Sequence, residues 1–238
     1  MSKTINKYKF LIFVLVFLSI LKIDFRFKEE ITCCSDDFDY FIHSETIIED
    51  FDFDYSNQLE GLEDKRFYKN NKSAPIGFVG TGLYSAPFMF VGIVFDRILS
   101  FVGLKSPNSI ISYKLLFYSF SSIFYLFFTL RYLKDSLKIL NLKHKILDLI
   151  MLILGVGVSY YAFERYSMTH IYEAFSLTML IYFSIKFYQD KNKSSAIFIP
   201  IFAVLGFSVK WVHFYFFVIP LIIKFMFFSK NESRLRDF

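Results

Sequence analysis

Residues 75–103 read PIGFVGTGLYSAPFMFVGIVFDRILSFVG, and how this run is placed decides the fold. It is apolar throughout, yet Gly77, Gly80, Gly82, Pro87 and Gly92 interrupt it and Asp96-Arg97 sets two charges in its second half. Glycine and proline lower helix stability, and charges inside a bilayer are costly. The run therefore suits a helix lying on a membrane surface better than one crossing it.

The basic residues test that placement. The other apolar runs fall at about 10–23, 109–130, 146–163, 169–188 and 194–228. If 75–103 crossed the bilayer, the loop carrying Arg131, Lys134, Lys138, Lys143 and Lys145 would lie opposite the N-terminus with its Lys3, Lys7 and Lys9, against the positive-inside rule. With 75–103 outside and 194–228 turning back near 208–212, every basic loop falls inside. The inner segments 1–9, 131–148, 186–193 and 224–238 then carry a net +10, and the outer segment 24–108 a net −7.

This reading predicts an all-α polytopic membrane protein forming a single membrane domain over 1–238. Six spans are expected, at 8–23, 109–130, 146–163, 169–188, 194–208 and 212–228. A long extracytoplasmic loop over 24–108 holds juxtamembrane helices, and 229–238 is a cytoplasmic tail. Both termini are expected inside a bacterial plasma membrane. The last two spans sit near the lower limit of roughly 17 residues needed to cross hydrocarbon.

Composition agrees. Of 238 residues 55% are hydrophobic, with 34 Phe and 16 Tyr, and the mean hydropathy is +0.43, which excludes a disordered chain and an ordinary soluble domain. The net charge of +5 does not form one basic patch, so no nucleic-acid partner is expected; the partner is the lipid bilayer. Cys33 and Cys34 are adjacent and identify no redox compartment. No small-residue cleavage site follows the first apolar run at Asp24–Lys28, so that run reads as an uncleaved span.

The topology collects polar chemistry on the outer face: Asp36, Asp37, Asp39, His43 and Glu45, then Glu164, Arg165, His170 and Glu173, then Lys210, Trp211 and His213. Taken singly, each is also explained as an ordinary solvated residue. Ser35-Asp36-Asp37-Phe38-Asp39-Tyr40-Phe41-Ile42-His43 reads as a helix start, with an apolar face of Phe38, Phe41, Ile42 and Ile48 suited to the bilayer surface. A carboxylate held as an anion at a helix N-terminus is a general base or a metal anchor, or simply a cap. Arg165 is a candidate for a phosphate, or for pairing with Glu164 or lipid headgroups. Lys210 is a second anion-holding candidate, or a residue snorkelling beside Trp211.

Other motifs are excluded. Asp50, Asp52 and Asp54 occupy calcium-loop positions, but Tyr55 and Gly61 stand where that loop needs Gly and Glu. No zinc spacing, phosphate loop or nucleophile elbow occurs, and the four histidines lie on separate segments, so no histidine metal site is expected.

These residues resemble the membrane glycosyltransferases of the GT-C superfamily, which includes protein O-mannosyltransferases and the lipid A aminoarabinose transferase. Ser35-Asp36-Asp37-Phe38-Asp39-Tyr40-Phe41 is similar to the family's Gly-Asp-Glu-Pro-His-Tyr-Leu-type segment after the first span. Asp36 matches its catalytic Asp; Asp37 stands where Glu is usual, and Ser35 and Phe38 replace Gly and Pro. Residues 49–54, 71–88, 160–173 and 206–210 resemble the family's later outer-face segments.

The resemblance implies inverting transfer of a sugar from a polyprenyl-phosphate donor to an extracytoplasmic acceptor. Asp36 would serve as base, and Asp37 would support it or join it in holding a divalent metal. Arg165, Lys210 and His170 would hold the donor phosphate. The chain is shorter than family members and reads as truncated, which leaves open a membrane-protein partner. Two other classes stay open: a lipid or glycan transport component, and a non-catalytic membrane subunit.

Overall fold

The computed structural model describes residues 9, 12–19, 35–60, 67–70, 72–104, 112–143, 145–191 and 193–228. Expectations for Cys33, Cys34, residues 24–28 and the tail 229–238 lie outside these. The described chain is mostly helical, with one small hairpin of β1 (Phe67–Lys69) antiparallel to β2 (Lys72–Ala74). Helix α1 covers 12–19, and α2 (Ser35–Glu45) runs into a wide turn at Thr46–Asp50. Then follow α3 (Gly80–Phe101), α4 (Tyr113–Ile139), α5 (Ile146–Gly155), α6 (Val158–Phe163), α7 (His170–Asp190) and α8 (Lys193–Val209). The last element, α9 (Trp211–Phe228), begins as a tight 3-10 helix, relaxes to an α-helix at Ile219–Ile223 and widens at Lys224–Phe228. Three of these, α3, α4 and α9, are long and apolar enough to cross a membrane, and α8 is a shorter apolar helix. The chain is a helical protein built for membrane association.

Ring contacts fix the directions. Ser121 bonds Tyr172 and the Tyr132 ring meets Tyr182, so α4 and α7 run side by side in the same sense. Phe183 stacks on Phe198 while Phe175 meets Phe202, so α8 returns antiparallel to α7. Tyr84 meets Tyr125 and Phe95 meets Tyr113, so α3 is antiparallel to α4 and lies along its first half. Tyr84, early in α3, meets Tyr172 and Phe175 near the start of α7, so the rest of α3 runs beyond that start. At about 1.5 Å per residue the 27-residue α4 is roughly 40 Å long, enough to pair with both.

Small residues permit the close contacts. A Cβ on Gly92 would lie 2.4 Å from the Tyr113 carbonyl oxygen, and one on Gly80 would lie 2.3 Å from the Val209 nitrogen. Where α3 touches the start of α4, Asp96 accepts from the Tyr113 N–H at 3.3 Å and the Lys114 N–H at 3.0 Å. A charge that counted against a spanning helix is thus used to satisfy the open donors of the next helix. Inside the bundle, hydroxyls join helices: Tyr84 Oη to Ser176 Oγ at 2.7 Å, Tyr172 Oη to Ser121 Oγ at 2.8 Å, and the Tyr125 hydroxyl donating to the Tyr84 carbonyl at 3.0 Å. Interhelical hydroxyl bonds of this kind serve where lipid supplies no hydrophobic drive between helices.

Several boundaries differ from the apolar runs. The run 169–188 becomes α7 at His170–Asp190, and 194–208 becomes α8 at Lys193–Val209. The run 109–130 becomes a helix at Tyr113–Ile139, since Arg131, Lys134 and Lys138 end the apolarity without ending the helix. The run 146–163 is broken at Gly157, whose φ of +71° is a conformation favouring glycine. Helix α2 corrects the expectation of a bilayer-facing side. Phe41 and Ile42 are buried against Met89, Leu115 and Tyr118, because α3 and α4 fold over the face that periodicity alone assigns to lipid.

Candidate functional site

The first turn of α2 sets out the carboxylates. Asp36 is exposed, whereas Asp37 and Asp39 are each only 1% exposed. Asp39 Oδ2 accepts from the Ile76 N–H at 3.1 Å, tying the segment before α3 to α2. One turn on, His43 Nε2 lies 2.8 Å from the Gly77 carbonyl and Nδ1 lies 2.7 Å from the Tyr55 hydroxyl. A carbonyl only accepts, so the proton sits on Nε2 and Tyr55 donates to Nδ1. Burial holds His43 below the usual imidazole range, which keeps it neutral. Gly77 lies so near Tyr40 that a Cβ would come within 2.6 Å of its ring.

Asp37 is the hinge of the cluster. Its Oδ2 receives Arg165 Nη2 at 2.9 Å and Nε at 3.1 Å, while its Oδ1 is buried without a hydrogen-bond partner. Desolvation is the largest influence and outweighs the Arg165 hydrogen bonds and charge; with the adjacent Asp36 it raises Asp37 to about 6. Arg165 reaches α2 from the turn between α6 and α7, where its N–H bonds the Tyr160 carbonyl.

The same end of the bundle receives the start of α7 and the α8–α9 junction. Glu173, in the first turn of α7, has Oε2 3.3 Å from His213 Nε2 and 3.9 Å from His170 Nδ1. His170 lies within electrostatic reach of Glu173, Lys210 and Arg165 together, and its ring packs on Tyr161. Tyr40 on α2 is pushed up to about 12 by burial first and then by Asp36, Glu173, Asp39 and Asp37. Helix α2, the α6–α7 turn and the α8–α9 junction therefore bring Asp36, Asp37, Arg165, His170 and Lys210 into one electrostatic neighbourhood. Glu173, His213 and Tyr40 belong to it as well, although the sequence reading gave them no role. The three-residue spacing of His170 and Glu173 on one helix face is the signal that points to Glu173; His213 and Tyr40 come from other elements and carry no such signal.

The opposite end, where α4 and α7 finish and α5 and α8 begin, holds Lys134, Lys138, Lys145, Lys186, Lys191 and Lys193. A metal on the Asp36-Asp37 pair does not fit this arrangement. Asp37 already faces a guanidinium cation, and among the described residues no group of three or more His, Cys, Asp and Glu is placed to hold an ion.

Comparison with known proteins gives no match, whether to a family model, a curated sequence or a solved structure.

Proposed function

We propose that this chain transfers a sugar from a polyprenyl-phosphate donor to an acceptor hydroxyl at the extracytoplasmic membrane face, with inversion. The observation that carries the reading is the division of labour between the two aspartates. Asp37 is spent on Arg165, and Asp36 beside it is open to solvent within reach of the same cluster. In this reading α1, α4, the α5–α6 pair, α7, α8 and α9 cross the bilayer with both termini inside. Helix α3 stands on the outer side together with the start of α4, which its course beyond the start of α7 supports.

Asp36 takes the proton of the acceptor hydroxyl as the acceptor oxygen bonds to the anomeric carbon. The carbon–oxygen bond to the phosphate breaks, and its electron pair leaves with the polyprenyl phosphate. Arg165, Lys210 and His170 stabilise the departing phosphate, an electrostatic contribution that is large in a site poor in water. Asp37 takes two of the five guanidinium donors and so fixes the direction of the rest. No step is routed through a metal.

The test is turnover in membranes containing the chain, supplied with a radiolabelled hexose on a polyprenyl phosphate. Asp36→Asn lowers appearance of label in non-lipid product by about 100-fold or more at equal membrane insertion, as expected for loss of a general base. Full turnover in that variant overturns the proposal.

A further inference from the structure

Two buried polar atoms beside the phosphate-holding cations lack partners. Glu173 Oε1 makes no hydrogen bond, and neither does His213 Nε2, although it lies 3.3 Å from Glu173 Oε2. His213 is 8% exposed, stacked on Phe216, with Nδ1 3.1 Å from the Tyr215 hydroxyl. A buried polar atom left unsatisfied is costly, and two on neighbouring side chains mark where a ligand's polar groups belong. The sign of the charge narrows the ligand. A carboxylate repels a phosphate, so this corner takes neutral groups that donate O–H bonds, while Arg165 and Lys210 take the anion.

We infer that Glu173 and His213 form a hydroxyl-binding subsite for the sugar ring of the donor, next to the cations that hold its phosphate. Glu173 Oε1 accepts one ring hydroxyl. With Tyr215 donating to Nδ1, His213 Nε2 carries a proton and donates to a neighbouring hydroxyl. Lys210 and His170, at the junction and on the same turn as Glu173, are charged or titratable groups near this pair, and so are Tyr40 on α2, Tyr215 beside His213 and Arg165 beside His170. The inference rests on the transferase reading and adds the part of the donor that each side of the cluster recognises.

The chain has a single tryptophan, Trp211, two residues before His213 and 57% exposed, so its fluorescence reports ligand at this junction. The full chain in lipid nanodiscs is titrated with farnesyl phosphate, and with farnesyl phosphate carrying a gluco-, manno- or galacto-configured hexose. At least one hexosyl ligand binds about tenfold or more tighter than bare farnesyl phosphate, as expected for hydrogen bonds to a charged group. Glu173→Gln and His213→Gln lose that gain and keep the affinity for the bare phosphate, which also shows that they are folded. Equal binding of hexosyl and bare ligands by the wild type overturns the subsite and leaves the phosphate reading standing, as does an unchanged gain in both variants. Loss of bare-phosphate affinity in Glu173→Gln overturns it too, because that residue then supports the whole site. Failure of the wild type to bind any of these ligands overturns the transferase reading and the subsite together.

Discussion

Arg165 gives two hydrogen bonds to one oxygen of Asp37, a residue 128 positions earlier in the chain. This contact joins the helix after the first apolar run to the turn before α7, and no local pattern encodes it. Its partners differ in exposure, 1% for the Asp37 side chain and 20% for that of Arg165, so the two halves of the pair do not fail alike.

Arg165→Met leaves the Asp37 carboxylate buried without its cation and destabilises the protein by roughly 1–3 kcal/mol, since removing one partner of such a pair exposes the desolvation cost of the other. Asp37→Asn in the same chain recovers part of that loss. Thermal unfolding in detergent of the two single variants and the double variant measures the coupling; additive losses would mean that the pair is not coupled.

Asp37 also gives stability a definite pH dependence. Folding raises its pKa from an ordinary 3.8 to about 6, so between these values the folded protein binds a proton that the unfolded chain does not. Its contribution therefore grows as pH falls through about 6 and is complete below about 3.8. The wild type gains stability relative to Asp37→Asn between pH 7 and pH 4. His43 works in the opposite direction. Its lowered pKa means that the unfolded chain protonates first, and its contribution is lost as pH falls below 6.5. Unfolding temperatures of wild type, Asp37→Asn and His43→Gln across this range separate the two.

Close backbone approach makes a different demand at Gly80. The Cβ of Gly80→Ala would meet Val209 and Ser208 backbone atoms at 2.3–2.6 Å, so α3 must move off the α8–α9 junction, at a cost of about 1–3 kcal/mol. Gly155→Ala meets nothing within 4 Å and has ordinary helical φ; it is neutral or stabilises by up to about 1 kcal/mol. Melting temperatures of the two variants check the contrast.

Hydropathy made the extents of α7 and α8 legible: each helix begins and ends within about two residues of its apolar run. It failed at α4, where the helix continues through Arg131 to Ile139, and at α2, whose apolar face meets protein. Both failures have the same origin: charge and hydropathy describe what a residue tolerates, not which neighbour covers it. The gathering of Asp36, Arg165, His170 and Lys210 was expected from sidedness alone. The partner of Arg165 was not, since Glu164 is its neighbour in sequence and Asp37 its neighbour in space. Glu173 and His213 went unassigned because their meeting depends on the 3-10 geometry after Lys210.

The central claim is that Asp36 and Lys210 face the extracytoplasmic side while the basic turn after α4 faces the cytoplasm. It is tested by replacing Cys33 and Cys34 with Ser and introducing one cysteine at a time at Asp36, Lys210 or Lys143. Intact cells are treated with a membrane-impermeant maleimide. The account predicts labelling at positions 36 and 210, and labelling at 143 only after the membrane is opened; labelling of 36 and 210 from opposite sides, or of 143 from outside, contradicts it.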